Sequence, residues 1–447
     1  MADQSFSPEN LKIIYDNENK KGQYLEGDFF PHIKEISKAI KNLRKNIYIL
    51  KKRRATISPT GFSTVLTALH SKLKTKKEER NSEVMNVLSV IGTNISQKSF
   101  SLRCIQAQVV HGKATYKIEK NENSFFAEKK LQENIKKTYN INLSSRDSIV
   151  SSLISILDDD MPKIIIRTDI SSFYESISHD LLKSMLERHG YLSLSTKRII
   201  NETLKFYTIE TGTSRGLPRG IGISAYLSEV FMIDIDDEIL KLPHIIYYKR
   251  YVDDIIAIFS PPIKLDETLL MKDIETIINN HKLTLNKIKT KTINTLTQQN
   301  YTLDYLGYQF KHANKKPLDV EISNQRKLKI ESRINASFHK YIKGRKTEKT
   351  KRIFINRIKF LTGNIKLTNN KGGTFVGIYH TNKFANNTSQ IKNLDNILRD
   401  KINTELTQSP SLQRRLNKFS FEDGFNKKTY RKFTTKELIE ITKGWCS

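Results

Sequence analysis

Two adjacent acids, Asp253 and Asp254, stand between two short runs rich in aromatic and β-branched residues, a pattern that predicts a β-hairpin with the acids at its tip. Upstream, the apolar run that follows Lys163 ends in a third acid, Asp169, so a second strand delivers another carboxylate. A turn Asp often has only a local role, because it hydrogen-bonds its own backbone. Carboxylates from two such elements, however, are ligands that can hold two Mg²⁺ ions about 3.5 to 4 Å apart for phosphoryl transfer.

Asp169 and Asp253 are the predicted metal ligands. Asp254 is the more ambiguous partner, since successive strand residues point to opposite faces. Both hairpin acids can therefore share one metal pair only if the turn bends the backbone.

Five short motifs occur in the order of the palm motifs of reverse transcriptases, and on them the chain resembles that family over roughly residues 100–310. The motifs are Asp169 with Tyr174, Gly216-Leu-Pro-Arg-Gly220, Tyr251-Val-Asp-Asp254, Leu285-Asn-Lys-Ile-Lys289-Thr290 and Tyr305-Leu-Gly-Tyr308. Within the family it looks most like the stand-alone bacterial enzymes of abortive-infection and anti-phage defence systems. Segments 4–11 and 17–22 resemble, more weakly, the first polymerase of the type 3 defence-associated pair.

The resemblance implies an α+β fold, a right-hand polymerase in three regions. Residues 1–95 form a basic, helical N-terminal extension that we expect to touch RNA. Residues 96–310 form the fingers and a palm whose antiparallel sheet is backed by helices, and residues 311–447 form a mainly helical, thumb-like domain. Lys117 and Arg146 are candidates for fingers residues that contact the incoming triphosphate.

The resemblance also implies roles at the catalytic centre. Asp169, Ile170, Asp253 and Asp254 are implied at the site of two Mg²⁺ ions, with Mn²⁺ as a substitute. Lys289 follows the hairpin at the distance expected of a general acid for the departing pyrophosphate. A surface lysine is the alternative in so basic a segment.

Phe173, Tyr174, Pro218, Arg219 and Gly220 are implied at the nucleotide site. An aromatic ring under the sugar would collide with a 2′-hydroxyl, so Tyr174 predicts a preference for deoxynucleotides, while a packed core tyrosine is the alternative. The family usually has Gln where this chain has Arg219, whose guanidinium can reach a phosphate or pair with a nearby acid.

Leu306, Gly307 and Tyr308 resemble the primer grip, in which the backbone would hold the primer end. An ordinary strand and turn is the alternative interpretation of the same residues.

Composition agrees with a nucleic-acid partner. Lys and Arg total 76 against 47 Asp and Glu in 447 residues, a net charge of +29 that attracts phosphate backbones over long range. Mutational bias in an AT-rich genome is the alternative source of the lysines. Cys104 and Cys446 are too few and too far apart for a zinc site or a disulfide framework. We see no signal pattern and no apolar run near the ~20 residues of a membrane span, so we expect a cytoplasmic protein without a membrane partner.

The sequence thus predicts a Mg²⁺-dependent RNA-directed DNA polymerase that works with a noncoding RNA, as template or scaffold, in phage defence. Its partners would be that RNA, deoxynucleoside triphosphates and the DNA product, with a second reverse transcriptase subunit or a homo-oligomer left open. A template-independent DNA polymerase, primed from one of the 18 tyrosines, is the second hypothesis. A catalytically inactive RNA-binding scaffold is the third.

Overall fold

A computed structural model describes residues 3–110, 112–142, 145–260, 266–367 and 373–445. It is an α+β structure in which small antiparallel sheets are covered by helices, in agreement with the predicted fold class. Among the described residues, no helix combines the length and the apolarity that a membrane crossing requires.

The N-terminal region consists of helices and connecting segments. Its helices are α1 (Pro8–Lys20), α2 (Leu25–Asp28), α3 (Pro31–Lys52) and α4 (Pro59–Ser96). Ser7 and Ser58 cap α1 and α4 by accepting backbone hydrogen bonds, with proline at the first helical position of each. The outer parts of α3 and α4 pack on each other around Ile40, Ile47 and Leu73, which form a small core of their own.

The fingers region begins with a β-hairpin and continues with two helices. These elements are β1 (Cys104–Val110), β2 (Lys113–Ile118), α5 (Glu122–Thr138) and α6 (Arg146–Leu157). Apolar side chains of α1, α2, α5 and the end of α4 join the same large core as the helices of the palm. The predicted extension is therefore continuous with the fingers rather than a separately packed unit.

The palm contains a four-stranded antiparallel sheet with the strand order β4-β5-β3-β6. Its elements are β3 (Ile164–Asp169), α7 (Phe173–Ser176), α8 (His179–His189), α9 (Leu194–Thr211), α10 (Gly222–Leu240), β4 (Ile245–Tyr251), β5 (Asp254–Phe259), α11 (Glu267–Asn280) and β6 (Lys291–Asn294). Side chains alternate between the two faces of a strand. Ile164 and Ile166 accordingly join the first core, whereas Ile165 and Ile256 join a second one.

The second core lies between the palm sheet and the C-terminal half of the chain. A three-stranded antiparallel sheet leads into it, with β7 (Tyr301–Tyr305), β8 (Tyr308–His312) and β9 (Asp319–Ile322). The rest is α12 (Asn324–Ile342), α13 (Glu348–Leu361), β10 (Asn364–Lys366), β11 (Phe375–Gly377), α14 (Ile378–Asn382), α15 (Ser389–Glu405), α16 (Pro410–Leu416), α17 (Phe421–Asn426) and α18 (Thr435–Thr442). The predicted palm limit at residue 310 falls inside β8, so palm and C-terminal region share a sheet.

Candidate active site

The hairpin between β4 and β5 places Asp253 in its turn and Asp254 at the first position of β5. Val252 bends the backbone there with a φ of +61°, a left-handed conformation that is rare for a β-branched residue. This is the bend on which the prediction for Asp254 depended. The backbone N–H of Ile170 donates to the carbonyl of Asp253 at 3.3 Å and holds the turn against the end of β3.

Asp169 and Asp254 are directly opposite residues in the β3–β5 ladder. Opposite residues in an antiparallel pair have Cα atoms about 4.5 to 5.5 Å apart and side chains on the same face. The two carboxylates therefore lie next to each other on the face that also carries Ile165 and Ile256, with Asp253 beside them in the turn. The sheet brings the three predicted acids together.

Lys289 reaches this cluster from the segment that follows α11. The N–H of Asn286 donates to the carbonyl of Asp169 at 2.7 Å, which fixes the segment against the end of β3. Nζ of Lys289 then lies 2.7 Å from Oδ2 of Asp169, with its side chain 53% exposed. Of the two interpretations of this lysine, the geometry favours a residue of the site.

A second cation holds Asp254. Arg167, two residues before Asp169 on the same face of β3, donates from Nε and Nη2 to the two carboxylate oxygens of Asp254 at 3.2 and 3.3 Å. Tyr305 donates its hydroxyl to the carbonyl of Asp254 at 2.8 Å. This contact of Arg167 was not predicted, because it depends on the register between two strands that are distant in the sequence.

Burial and like charge raise the pKa of both hairpin acids. Burial, and then the charge of Asp169, raise the pKa of Asp253. Burial raises the pKa of Asp254 as well, and the charge of Asp169 adds to it, although Arg167 opposes the shift. A cluster with this excess of negative charge and oxygen donors suits a hard divalent cation.

Lys289 and Arg167 each occupy one of the carboxylates. Consistent with that, no three His, Cys, Asp or Glu side chains in the described part of the chain already surround a common point as metal ligands would. The donor set fits Mg²⁺ in kind, and Asp169, Asp253 and Asp254 would hold it. Ile170, also predicted at the metal site, contacts Asp253 through its backbone N–H, while its side chain is buried in the first core.

Tyr174 packs half-buried against the first core, next to the fully buried Phe173. The guanidinium of Arg219 lies over its ring, with Cζ 4.9 Å from the centroid. The same guanidinium donates to both carboxylate oxygens of Glu175, at 2.5 and 3.0 Å. Arg219 thus takes the second of the two predicted courses and pairs with a nearby acid.

Glu175 also connects the palm to the fingers. Its carboxylate lies 3.4 Å from Nζ of Lys113, the first residue of β2. Burial alone would raise the pKa of Glu175, but the hydrogen bonds from Arg219 and the charges of both cations lower it. Neither Glu175 nor Lys113 was singled out in the sequence, since their partners lie far along the chain.

The Gly216–Gly220 segment brings the fingers hairpin against the nucleotide site. Gly220 has a φ of +93°, and a Cβ there would stand 2.7 Å from the carbonyl of Tyr116. The N–H of Tyr116 donates to the carbonyl of Arg219 at 2.6 Å. The N–H of Leu217, which precedes Pro218, donates to the carbonyl of Tyr174 at 2.7 Å. The turn is therefore hydrogen-bonded both to the fingers hairpin and to the backbone of Tyr174.

The predicted primer grip is the two-residue turn between β7 and β8. Leu306 and Gly307 both have positive φ, +47° and +77°, as a type I′ hairpin turn requires. Arg146 and Arg326 each donate to the carbonyl of Leu306, at 2.9 and 3.1 Å. Arg146 therefore lies at this turn rather than in the role proposed for it in the fingers, and Lys117 lies in β2 opposite Ile105.

Both guanidiniums also lie over the ring of Tyr308, at 4.7 and 5.3 Å from its centroid. Burial, and then the charge of Arg146, lower the pKa of Arg326 to about 10. Nη2 of Arg146 is buried without a hydrogen-bond partner. The turn beside the catalytic acids is thus surrounded by positive charge, which neither arginine offsets with an ion pair to a described residue.

The chain is similar to known proteins over part of its length. Residues 93–310 match the model of the family described as “Reverse transcriptase (RNA-dependent DNA polymerase)”. Among curated proteins, the chain is 24% identical over 131 residues to the “Retron Ec48 reverse transcriptase” of Escherichia coli, a match that covers 29% of this chain and 30% of the relative. The chain thus spans less than a third of the curated relative that it matches.

Solved structures of telomerase align with this chain at low similarity. Apo telomerase from Candida tropicalis, truncated from its C-terminal domain, aligns with a TM-score of 0.35 and 13% identity over 50% of this chain and 55% of that one. Telomerase from Candida albicans with a fragment of telomeric RNA aligns with a TM-score of 0.35 and 12% identity over 79% of this chain and 62% of that one.

Proposed function

We propose that this chain, whose residues 93–310 belong to the reverse transcriptase family, is an RNA-directed DNA polymerase that adds deoxynucleotides to a primer by phosphoryl transfer. The observation that carries the proposal is the position of Asp169 opposite Asp254, with Asp253 in the adjoining turn. Three carboxylates at one end of a sheet, two of them with pKa values raised by burial and by the charge of Asp169, are the donor set of a polymerase metal site.

In the proposed reaction, Asp169, Asp253 and Asp254 hold two Mg²⁺ ions. When bound, these ions would lower the pKa of the primer hydroxyl and stabilise charge on the transferred phosphate. Lys289, whose Nζ lies 2.7 Å from Oδ2 of Asp169, would face the leaving group. Lys289 would then donate a proton to the departing pyrophosphate oxygen as a general acid.

Around the reacting atoms, Tyr174 would lie under the sugar and exclude a 2′-hydroxyl. Arg219 fixes the ring from above and is itself held by Glu175. The turn at Leu306 and Gly307, held by Arg146 and Arg326, would position the primer end. Each of these residues would orient a substrate, while the new bond would form between the primer hydroxyl and the phosphate.

The direct test is incorporation of labelled deoxynucleotides on an RNA template with an annealed primer. We expect Mg²⁺-dependent incorporation by the wild-type chain and its loss, by at least about a hundredfold, in Asp253→Ala. Exposed Asp273→Ala on α11 is the matched control and should leave the rate unchanged. Equal incorporation by the wild type and Asp253→Ala would refute the assigned site.

Sequencing the product separates the templated reaction from its alternative. A product complementary to the supplied RNA supports the proposal, whereas a product that matches no RNA in the reaction supports a template-independent, protein-primed polymerase. A chain that binds RNA but incorporates no nucleotide, with or without a template, would instead be the inactive scaffold.

We further propose that the natural template or scaffold is a noncoding RNA, and that the protein acts in the cytoplasm against phage, alone or with a second polymerase subunit. The proposed RNA partner and the proposed role in defence rest on the resemblance of the motif sequences to those of bacterial defence enzymes. Sequencing the RNA that co-purifies with the chain from its host tests them, because a random sample of cellular RNA would argue against a dedicated partner.

A further inference from the structure

The C-terminal region carries an exposed group of aromatic rings. Phe375 of β11 is 44% exposed and Tyr430, after α17, is 51% exposed, although large aromatic side chains are usually mostly buried. His380 of α14 lies with them, and we call these three residues the aromatic patch. The rings of Phe375 and His380 are stacked with centroids 5.0 Å apart and an interplanar angle of 24°, and Tyr430 lies 5.7 Å from each.

The backbone under the patch holds the rings in place. Asn364 of β10 bridges to Tyr430, and the N–H of Arg431 donates to the carbonyl of Asn364 at 2.7 Å. Nε2 of His380 lies 2.7 Å from the hydroxyl of Tyr430. A ligand that stacks here would therefore meet a pre-organised surface and would not have to order it.

The surroundings of the patch are cationic. Nζ of Lys366 lies 5.6 Å from the centroid of Phe375, and Nζ of Lys428 lies 4.6 Å from the ring of Tyr379 beside the patch. Burial, followed by the charges of Lys383 and Lys428, lowers the pKa of His380. The imidazole is consequently neutral at physiological pH and behaves as a flat ring within a positive field.

The patch also adjoins the turn next to the catalytic centre. Thr381 follows His380, and its carbonyl accepts hydrogen bonds from Arg146 at 3.0 Å, Arg326 at 3.2 Å and the hydroxyl of Tyr308 at 3.2 Å. A nucleic-acid strand that leaves the 305–308 turn along this positive surface would pass Thr381 and then meet the aromatic patch at His380.

We propose that the aromatic patch is a binding site for single-stranded nucleic acid, in which one or two bases stack on Phe375 and Tyr430 and the flanking phosphates contact the lysines. Aromatic faces accept any base, and lysines accept any phosphate, so the site would bind with little sequence preference. A duplex keeps its base faces stacked on each other and would not use it. This site goes beyond the proposed polymerase activity and does not depend on it.

The test measures binding of fluorescent single-stranded RNA, single-stranded DNA and duplex by anisotropy, with the full chain and without nucleotides. We expect the Phe375→Ala/Tyr430→Ala double variant to lose affinity for single strands by about tenfold or more, and to keep its affinity for duplex. Tyr430→Phe preserves the ring and should bind within about twofold of the wild type. Tyr191→Ala is the matched control, because Tyr191 is 50% exposed and also stacks on a histidine, but beside an acid.

Cross-linking gives a readout that does not depend on the fold of a variant. Ultraviolet irradiation of the wild-type chain with a single strand, followed by mass spectrometry, should attach nucleotides to the peptides that carry Phe375 or Tyr430. Unchanged single-strand affinity in the folded double variant, or cross-links only at other peptides, would overturn the proposal. Because no nucleotide is incorporated in these assays, their failure is distinguishable from a failure of the polymerase assignment.

Discussion

At the scale of single residues, the candidate site brings together like charges that do not stabilise the folded protein. Burial and the charge of Asp169 raise the pKa values of Asp253 and Asp254, while the cations Arg167 and Lys289 oppose these shifts. The backbone adds strain, since Val252 adopts a left-handed conformation in the turn. Strain and like-charge clustering at one point are typical of a site selected for chemistry at the expense of stability.

Removing one of these charges should therefore stabilise the metal-free protein. The folded-state pKa of Asp253 is raised above its unfolded value, so the stability that its protonated form contributes is present below the unfolded pKa and is lost as pH rises through the folded pKa. In a chelator at neutral pH, we expect Asp253→Asn to melt about 1 to 3 °C above the wild type, with a smaller gain near pH 4. Calorimetry checks this, with Asp273→Asn as the control, and a lower melting temperature in Asp253→Asn would contradict it.

Tyr174 should determine which sugar is accepted. If its ring lies under the ribose, Tyr174→Ala should lower the preference for deoxynucleotides over ribonucleotides, measured as a ratio of kcat/KM values, by about 10- to 100-fold. Tyr174→Phe keeps the ring and the contact with Arg219 and should keep the preference. Full discrimination in an active Tyr174→Ala variant would mean that the residue only packs against the core.

At the scale of elements, residues close in sequence were the easier part to predict. Helices α6 and α13 illustrate this, because the apolar spacing of each helix and the side-chain cap at its start are local features of the sequence. The palm motifs were found because each is short and contiguous. Lys113, Glu175, Arg167 and Arg326 were missed as site residues because their roles depend on which strands and loops the tertiary fold brings together.

The turn between β7 and β8 allows a sharp test of one such element. A Cβ on Gly307 would stand 2.0 Å from Nη2 of Arg326, and its φ of +77° strains any other residue. Gly190, which ends α8, has a φ of +64° with no other heavy atom within 4 Å of an added Cβ. Gly190→Ala therefore measures the backbone strain alone, at about 1 to 2 kcal/mol.

Gly307→Ala should cost about 1 to 3 kcal/mol more than Gly190→Ala in urea unfolding, because displaced Arg326 loses its hydrogen bonds to Leu306, Thr381 and Asn382. We also expect primer extension to weaken in Gly307→Ala alone. Equal unfolding costs in the two variants would show that Arg326 moves aside freely and does not support the turn.

At the scale of the whole molecule, the two large cores pack against opposite faces of the palm sheet. The end of the sheet that carries Asp169 and Asp254 is therefore supported from both sides. The net charge of +29 extends far beyond that edge. A groove of 930 Å³ among α1, α3 and α4 is lined by basic residues, including the exposed Lys41, Arg44 and Lys77. This groove is one surface on which the predicted contact of the N-terminal helices with RNA can be tested as a unit.

Replacing Lys41, Arg44 and Lys77 together by Gln should weaken RNA binding and reduce its dependence on salt. Each phosphate contact contributes about 0.7 to 0.9 to the slope of log affinity against log salt concentration, so three lost contacts should lower the slope by about 2 to 3. The matched variant replaces three exposed lysines of the palm helices, Lys205, Lys241 and Lys272, and changes the net charge equally. If both variants lower the slope by the same amount, the N-terminal groove attracts RNA only through the overall charge, whereas a loss confined to the first variant identifies the groove as a contact surface.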